Sequence, residues 1–151
     1  MRRGTFRSER ALFALRFDRL KHVRVLIVED ESQVSLLLQD MLQDLGHTVS
    51  GVAPSLRTAL ATAAGVPSDL AIVDIGLAGD GGDGVQTAVE LRQRFGVPAV
   101  LMTGATVNRL DAQVRTAQAV GFLRKPYTLE DLRRALETAS ASLGGSRARQ
   151  I

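Results

Sequence analysis

The sequence predicts an α/β protein built on a parallel sheet of five strands. From Val23 onward, five short apolar runs alternate with five segments that have the periodicity of amphipathic helices. The first run is apolar at nearly every position through Val28, as in a strand that is buried on both faces. Strands and helices that alternate in this way form parallel sheets with helices on both faces, and 151 residues are enough for one such domain.

The strands and helices can be placed in order along the chain. The predicted strands are 23–30, 47–53, 70–74, 98–103 and 120–125, and the predicted helices are 32–46, 55–65, 85–96, 107–119 and 128–143. The fourth helix has polar residues on most sides and is the weakest of the ten. A glycine-rich segment separates the third strand from the third helix, so we expect a loop there.

The helix ends carry recognisable signals. Ser32 and Thr128 are suited to cap the first and last helices, because a hydroxyl can accept a hydrogen bond from an amide of the first turn. Gly46, Gly65 and Gly96 stand where the first three helices are expected to end. The side chains expected to face the core are Val34, Leu37, Leu38, Met41 and Leu45 in the first helix and Leu129, Leu132, Leu136 and Ala139 in the last.

Right-handed crossovers between parallel strands leave few ways to arrange five strand–helix units. The arrangement that suits them is flavodoxin-like and doubly wound, with strands in the order 2-1-3-4-5. This domain would occupy residues 23–143. Residues 1–22 would form a basic extension, since they hold seven Lys or Arg against two Asp or Glu, and residues 144–151 would form a disordered tail.

Composition excludes several classes of protein. The chain has no cysteine and two histidines, so we expect neither a disulfide framework nor a zinc site. No apolar run reaches the roughly 18 residues that a membrane-spanning helix needs, and we find no secretory signal, so we expect a cytoplasmic protein without a membrane span. Residues 23–151 hold twelve basic and fourteen acidic residues, so we do not expect this domain itself to bind nucleic acid.

Polar side chains stand at the carboxyl ends of four predicted strands. Glu29 and Asp30 end the first strand, Asp74 ends the third, Thr103 ends the fourth and Lys125 ends the fifth. In an open α/β sheet, ligands bind at these ends, where the strand order reverses. The order 2-1-3-4-5 reverses between the first and third strands, so we expect the five side chains to meet at this edge.

The residue types at this edge indicate phosphoryl chemistry. Three neighbouring carboxylates repel each other by about a few kcal/mol, and a hard divalent cation relieves this repulsion. Oxygen ligands without histidine or cysteine favour Mg²⁺. A carboxylate such as Asp74 can then attack a phosphoryl group and form an acyl phosphate. The hydroxyl of Thr103 and the ammonium of Lys125 are suitable partners for the phosphoryl oxygens.

Four segments resemble the receiver domains of bacterial two-component response regulators. They are VLIVEDE (residues 25–31), IVD (72–74), LMTGA (101–105) and GFLRKPY (121–127). They occur in the family's order, and the resemblance extends from Val23 to about Leu143. The chain looks like a single-domain, chemotaxis-regulator-like member of that family.

The resemblance implies a role for each residue of the site. Asp74 would be phosphorylated, with Lys125 and Thr103 as the other catalytic residues. The metal ligands would be Glu29, Asp30, Asp74 and Gly76, where Asp30 binds Mg²⁺ directly, Glu29 acts through water and Gly76 offers its carbonyl oxygen. Thr103 and Phe122 would be switch residues, and the peptide before Pro126 would be cis.

The resemblance also implies a signalling protein that catalyses only its own phosphoryl transfer. A sensor histidine kinase or a histidine phosphotransfer protein would supply the phosphoryl group. The last two helices, with the fifth strand between them, would contact a downstream protein or a second copy of the chain. Too few residues follow the last helix for a DNA-binding domain, so we expect the signal to leave by protein contact.

The segment after Asp74 departs from the family's pattern, and two alternatives stay open. The Pro of the usual Met-Pro pair is missing, and the pair Asp83-Gly84 comes two residues later than the usual Asp-Gly pair. One alternative is a Mg²⁺-dependent phosphohydrolase with an aspartyl nucleophile. Such enzymes usually place a second acid two residues after the nucleophile, where this chain has Gly76. The other alternative is a binding module that is not phosphorylated.

Overall fold

The computed structural model describes residues 22–77, 83–104 and 110–148, in which five strands alternate with five helices. In chain order the elements are β1 (Arg24–Val28), α1 (Ser32–Asp44), β2 (Thr48–Ala53), α2 (Leu56–Gly65), β3 (Leu70–Asp74), α3 (Gly84–Phe95), β4 (Ala99–Thr103), α4 (Leu110–Ala117), β5 (Gly121–Arg124) and α5 (Leu129–Ala148). The predicted helical residues 107–109 and the basic extension through residue 21 lie outside the described residues. None of the described helices is both long and apolar enough to cross a membrane.

The strands form one parallel sheet in the order β2-β1-β3-β4-β5. This order confirms the predicted flavodoxin-like arrangement. The chain passes from β1 outward to β2, then returns to β3 on the other side of β1 and continues outward to β5. The carboxyl ends of β1 and β3 therefore lie side by side at the point of reversal, with Val28 level with Val73.

An apolar layer on each face of the sheet holds the helices in place. On one face, Ile27 of β1 lies in a buried cluster with Leu38 of α1 and Leu132 of α5. On the other face, Leu26 of β1 lies in a cluster with Leu91 of α3. Successive strand residues point to opposite faces, so a strand covered on both sides must be apolar at consecutive positions. Full burial of one such leucine or isoleucine contributes about 1.5–3 kcal/mol.

Helix α1 buries most of the predicted face, with Leu38 in the core and Met41 and Leu45 packed against it, but not Leu37. Ser35, Leu38 and Leu42 are buried, whereas Leu36 is 60% exposed and Leu37, which was expected in the core, is 59% exposed. With 3.6 residues per turn, the residue before Leu38 points about 100° away from it around the helix axis. The prediction for Leu37 was therefore wrong, and α1 carries two adjacent leucines in solvent.

The helix ends agree with the sequence at α5 more closely than at α1. Thr128 Oγ1 accepts a hydrogen bond from the Asp131 amide at 3.1 Å, and Asp131 accepts one from the Thr128 amide at 2.9 Å, which confirms the predicted cap. At α1 the capping position is Glu31 rather than Ser32, and no side chain caps the helix.

Helix α5 reaches Ala148, so most of the tail that was expected to be disordered from residue 144 is helical. Glycine weakens a helix but does not stop it as proline does.

Candidate functional site

The carboxyl ends of the strands bring three acidic side chains and one lysine together. One oxygen atom from each of Glu29, Asp30 and Asp74 lies within 4.8 Å of the others, and we call these three residues the acidic rim. Lys125 Nζ lies 3.2 Å from both Glu29 Oε2 and Asp74 Oδ2. Thr103, the fifth predicted residue, ends β4 next to β3 and is 7% exposed. The strand order thus gathers residues from four separate segments of the chain.

Lys125 bridges the two more buried carboxylates of the acidic rim. Its side chain is 24% exposed, compared with 11% for Asp74 and none for Glu29. Burial disfavours the ammonium, but the charges of Asp74 and Glu29 outweigh burial and raise the pKa of Lys125. Lys125 therefore stays protonated and partly neutralises the rim.

Glu29 is the most buried member of the acidic rim, and its pKa is raised. Burial is the largest cause, and together with the neighbouring carboxyl of Asp74 it raises the pKa of Glu29 to about 7. The Glu31 amide, which donates to Glu29 Oε1 at 3.2 Å, and the ammonium of Lys125 oppose this shift. At neutral pH the Glu29 carboxyl is therefore divided between its protonated and ionised forms, and a cation at the rim would favour the ionised form.

Asp74 is the last residue of β3, and its carboxylate is held from two sides. Oδ1 accepts a hydrogen bond from the Gly76 amide at 2.9 Å, and Oδ2 faces Lys125 Nζ. These two contacts fix the direction of the carboxylate relative to the strand. A side chain that is 11% exposed is thus oriented by its neighbours and still reachable from solvent.

The remaining predicted site residues lie on or beside β4 and β5. The Lys125 amide donates to the Thr103 carbonyl at 2.7 Å, which ties the ends of these two strands together. Phe122 lies on the edge strand β5 and is 52% exposed. The Lys125–Pro126 peptide bond is cis.

Tyr127 belongs to the surroundings of the site, although the sequence assigned it no role. It is half-buried and packs against the apolar layer of α1 and α5. Burial is the main cause that raises the pKa of its phenol. The ammonium of Lys125 opposes this shift, and the carboxyl groups of Glu29 and Asp74 add to it. The signal in the sequence was its position directly after the Lys125–Pro126 pair, at the end of the last strand.

The acidic rim offers donors that suit a hard divalent cation. Its ligand atoms are carboxylate oxygens from three side chains that lie within reach of a single ion. Mg²⁺ prefers oxygen ligands and takes only a few carboxylates because it keeps several water molecules. Burial and the neighbouring carboxyl of Asp74 raise the pKa of Glu29, and the charge of such a cation would oppose both effects. The donor set therefore fits Mg²⁺.

Fold and site together define a doubly wound α/β domain with an acidic, lysine-bridged site at the reversal of strand order. The chain belongs to the response regulator receiver domain family, whose model matches residues 25–137. Receiver domains of this family are the signalling modules of two-component systems.

Individual relatives agree with this assignment. The chain is 33% identical to the transcriptional regulatory protein PdtaR of Mycobacterium tuberculosis, over 77% of this chain and 56% of that protein. It is 30% identical to the chemotaxis protein CheY of Pseudomonas aeruginosa, over 82% of this chain and 100% of that protein. The signal receiver domain of a modulated diguanylate cyclase from Desulfovibrio desulfuricans G20 superposes with a TM-score of 0.73 at 32% identity, over 80% and 94% of the two chains. The chain thus spans about half the length of PdtaR.

Proposed function

We propose that Asp74 accepts a phosphoryl group from the phosphohistidine of a sensor histidine kinase or a histidine phosphotransfer protein, with Mg²⁺ bound at the acidic rim. The observation that carries this proposal is the position of the Lys125 ammonium, 3.2 Å from carboxylate oxygens of both Glu29 and Asp74. A cation at this point can contact the nucleophile before transfer and the phosphoryl group afterwards. A cytoplasmic location is part of the proposal.

The members of the acidic rim would have different tasks. Asp30 is exposed and would bind Mg²⁺ directly, whereas the buried Glu29 would act through a water molecule. Asp74 and the carbonyl oxygen of Gly76 would complete the protein ligands. Bound Mg²⁺ would supply positive charge that offsets the repulsion between the rim and an incoming phosphoryl group.

Transfer would form one phosphorus–oxygen bond and break one phosphorus–nitrogen bond. A carboxylate oxygen of Asp74 attacks the phosphorus in line, and the donor imidazole leaves with the electron pair and takes up a proton from solvent. The Gly76 amide, 2.9 Å from Oδ1, keeps the carboxylate oriented during the attack. Lys125 then exchanges its contact with Asp74 for a phosphoryl oxygen, and the Thr103 hydroxyl binds another.

The changed contacts of Thr103 and Lys125 would carry the signal to the surface formed by α4, β5 and α5. On this surface a groove of about 490 Å³ lies between β5 and α5, and Phe122, Arg124 and Arg134 are among the residues that line it. Lys125 lines the same groove, so a movement of its side chain would alter this surface. Phosphorylation shifts the population of two conformations only if it favours one of them, by about a few kcal/mol. We propose that a downstream protein or a second copy of the chain binds here.

The exposed leucines of α1 would meet the phosphoryl donor. Helix α1 begins two residues after Asp30, so Leu36 and Leu37 lie only about 6–8 Å along the helix from its start. Both side chains are more than half exposed, which is unusual for adjacent leucines that serve no contact. A donor that buries them would place its phosphohistidine over the acidic rim.

Incubation with acetyl phosphate and Mg²⁺, followed by intact mass spectrometry, tests the proposed function. We expect one phosphoryl addition to the wild type and none to Asp74→Ala, because acetyl phosphate supplies the same high-energy phosphoryl group. Asp69→Ala is the matched control, since Asp69 pairs with Arg24 at the opposite ends of the strands and should leave the addition unchanged. Omission of Mg²⁺ should reduce the addition to the level of Asp74→Ala.

Two other outcomes would contradict the proposal. Steady turnover of a small phosphate ester would instead support the phosphohydrolase alternative. Absence of both labelling and Mg²⁺ binding would support the binding module that is not phosphorylated.

A further inference from the structure

The first residue of helix α3 lies directly against the backbone of Asp74. Gly84 is buried, and a Cβ atom placed on it would lie 2.7 Å from the carbonyl carbon of Asp74 and 2.7 Å from the Cα of Ile75. It would lie closer still to the carbonyl oxygen of Asp74. All three neighbours are backbone atoms, which cannot rotate away as the end of a long side chain can. Only glycine allows α3 to begin at this distance from Asp74.

The Asp74 peptide has β4 on its other side. Asp74 is level with Met102 in the sheet, and the Ile75 amide donates to the Met102 carbonyl at 2.9 Å. The peptide that carries the proposed nucleophile is therefore enclosed between β4 and the start of α3. A side chain added to Gly84 must therefore displace either the Asp74 peptide or the start of α3 itself.

The start of α3 is held by hydrogen bonds to Asp83. Asp83 Oδ1 accepts a hydrogen bond from the Gln86 amide at 2.8 Å, and its carbonyl accepts one from Thr87 Oγ1 at 2.9 Å. Thr87 and Ala88, about one turn further along the helix, are fully buried. Asp74 is the last residue of its strand and is followed by a turn at Ile75 and Gly76.

We propose that Gly84 is a positioning residue for the phosphoryl acceptor. Because Gly84 has no side chain, the start of α3 can lie against the Asp74 peptide and support it. The Asp74 carboxylate then meets Lys125 and the other members of the acidic rim. This inference rests on the proposed function of Asp74. It assigns a role to a residue that touches neither the metal nor the phosphoryl group.

The test compares Gly84→Ala with Asp83→Ala and Gly65→Ala. Gly84→Ala should lower the rate of phosphoryl addition from acetyl phosphate by about 10- to 100-fold, since a displacement of about 1 Å at a reacting group can cost that much. Its affinity for Mg²⁺, measured by calorimetry, should fall as well, because Asp74 is one of the proposed ligands. Asp83→Ala removes the cap of the same helix without adding an atom near Asp74, and it should lose stability while keeping its rate. A methyl group at Gly65 would meet nothing within 4 Å, so Gly65→Ala controls for the change from glycine to alanine.

Rates are expressed per folded molecule, with the folded fraction taken from circular dichroism. If Gly84→Ala is partly unfolded, all four proteins are compared in sucrose, which strengthens the folded state. The inference would be overturned if folded Gly84→Ala and wild type had equal rates and equal Mg²⁺ affinities. In that case the wild type and Asp83→Ala would still be phosphorylated normally, and the proposed function would stand. Failure of the wild type to be phosphorylated would instead overturn the proposed function.

Discussion

Lys125→Met should lower the free energy of unfolding by about 3 kcal/mol at about pH 8, the lower end of the range for breaking a buried ion pair. Methionine keeps most of the aliphatic stem and removes only the ammonium, which lies 3.2 Å from Glu29 and Asp74. The two carboxylates would then face each other without their shared cation. At about pH 5.5 the loss should be roughly halved, because Glu29, with a pKa of about 7, is protonated there already.

Urea unfolding with EDTA present measures this effect, and Arg94→Met is the control. Arg94, whose side chain is exposed, forms an ion pair with Glu90 at 3.5 Å, and ion pairs at the surface contribute about 1 kcal/mol or less. A loss for Lys125→Met that is as small as the loss for Arg94→Met would contradict the bridging role of Lys125. The same variant should also lose phosphoryl addition from acetyl phosphate.

Glu29→Gln should stabilise the metal-free protein at about pH 8 by on the order of 3 kcal/mol, which is the cost of ionising Glu29 in the folded state. Its pKa rises from 4.5 to about 7 on folding, so the folded state binds more protons than the unfolded state between these values. The stabilisation from the protonated carboxyl is complete below about pH 4.5 and disappears as pH rises through about 7. Glutamine imitates the protonated form at every pH.

The wild type and Glu29→Gln should therefore have similar stability near pH 5 and diverge as pH increases. Urea unfolding in EDTA at several pH values measures this divergence. Glu31→Gln is the control, since it makes the same change at an exposed position two residues from Glu29. Added Mg²⁺ should stabilise the wild type more than Glu29→Gln. Parallel stability curves for the two proteins would show that Glu29 ionises as easily when folded as when unfolded.

The fold and the membership of the site could be predicted because both follow from patterns of several residues. Consecutive apolar positions in β1 and β3 indicate strands that are covered on both faces, and the alternation with helices determines the parallel order. Once the strand order is known, the residues that end the strands must share one edge. This is why Glu29, Asp74 and Lys125 could be brought together from sequence.

The properties that could not be predicted depend on single-residue geometry. Whether Leu37 is in the core or in solvent depends on how α1 is rotated about its own axis, and the spacing of the apolar residues is compatible with either orientation. The contact of Gly84 with the Asp74 backbone depends on where α3 begins after its loop. Glu29 and Asp30 look equivalent in the sequence, but Glu29 is buried and Asp30 is exposed. His47 likewise accepts the Val23 amide at 3.1 Å, a contact without any signal in the sequence.

Chemical location of the phosphoryl group tests the central claim most directly. Borohydride reduces an aspartyl phosphate to homoserine, and peptide sequencing by mass spectrometry then identifies the converted residue. After treatment with acetyl phosphate and Mg²⁺, we expect homoserine at position 74 and at no other aspartate. Conversion of Asp30 or Asp69, or of no residue in a folded and Mg²⁺-bound sample, would contradict the assignment of Asp74 as the acceptor.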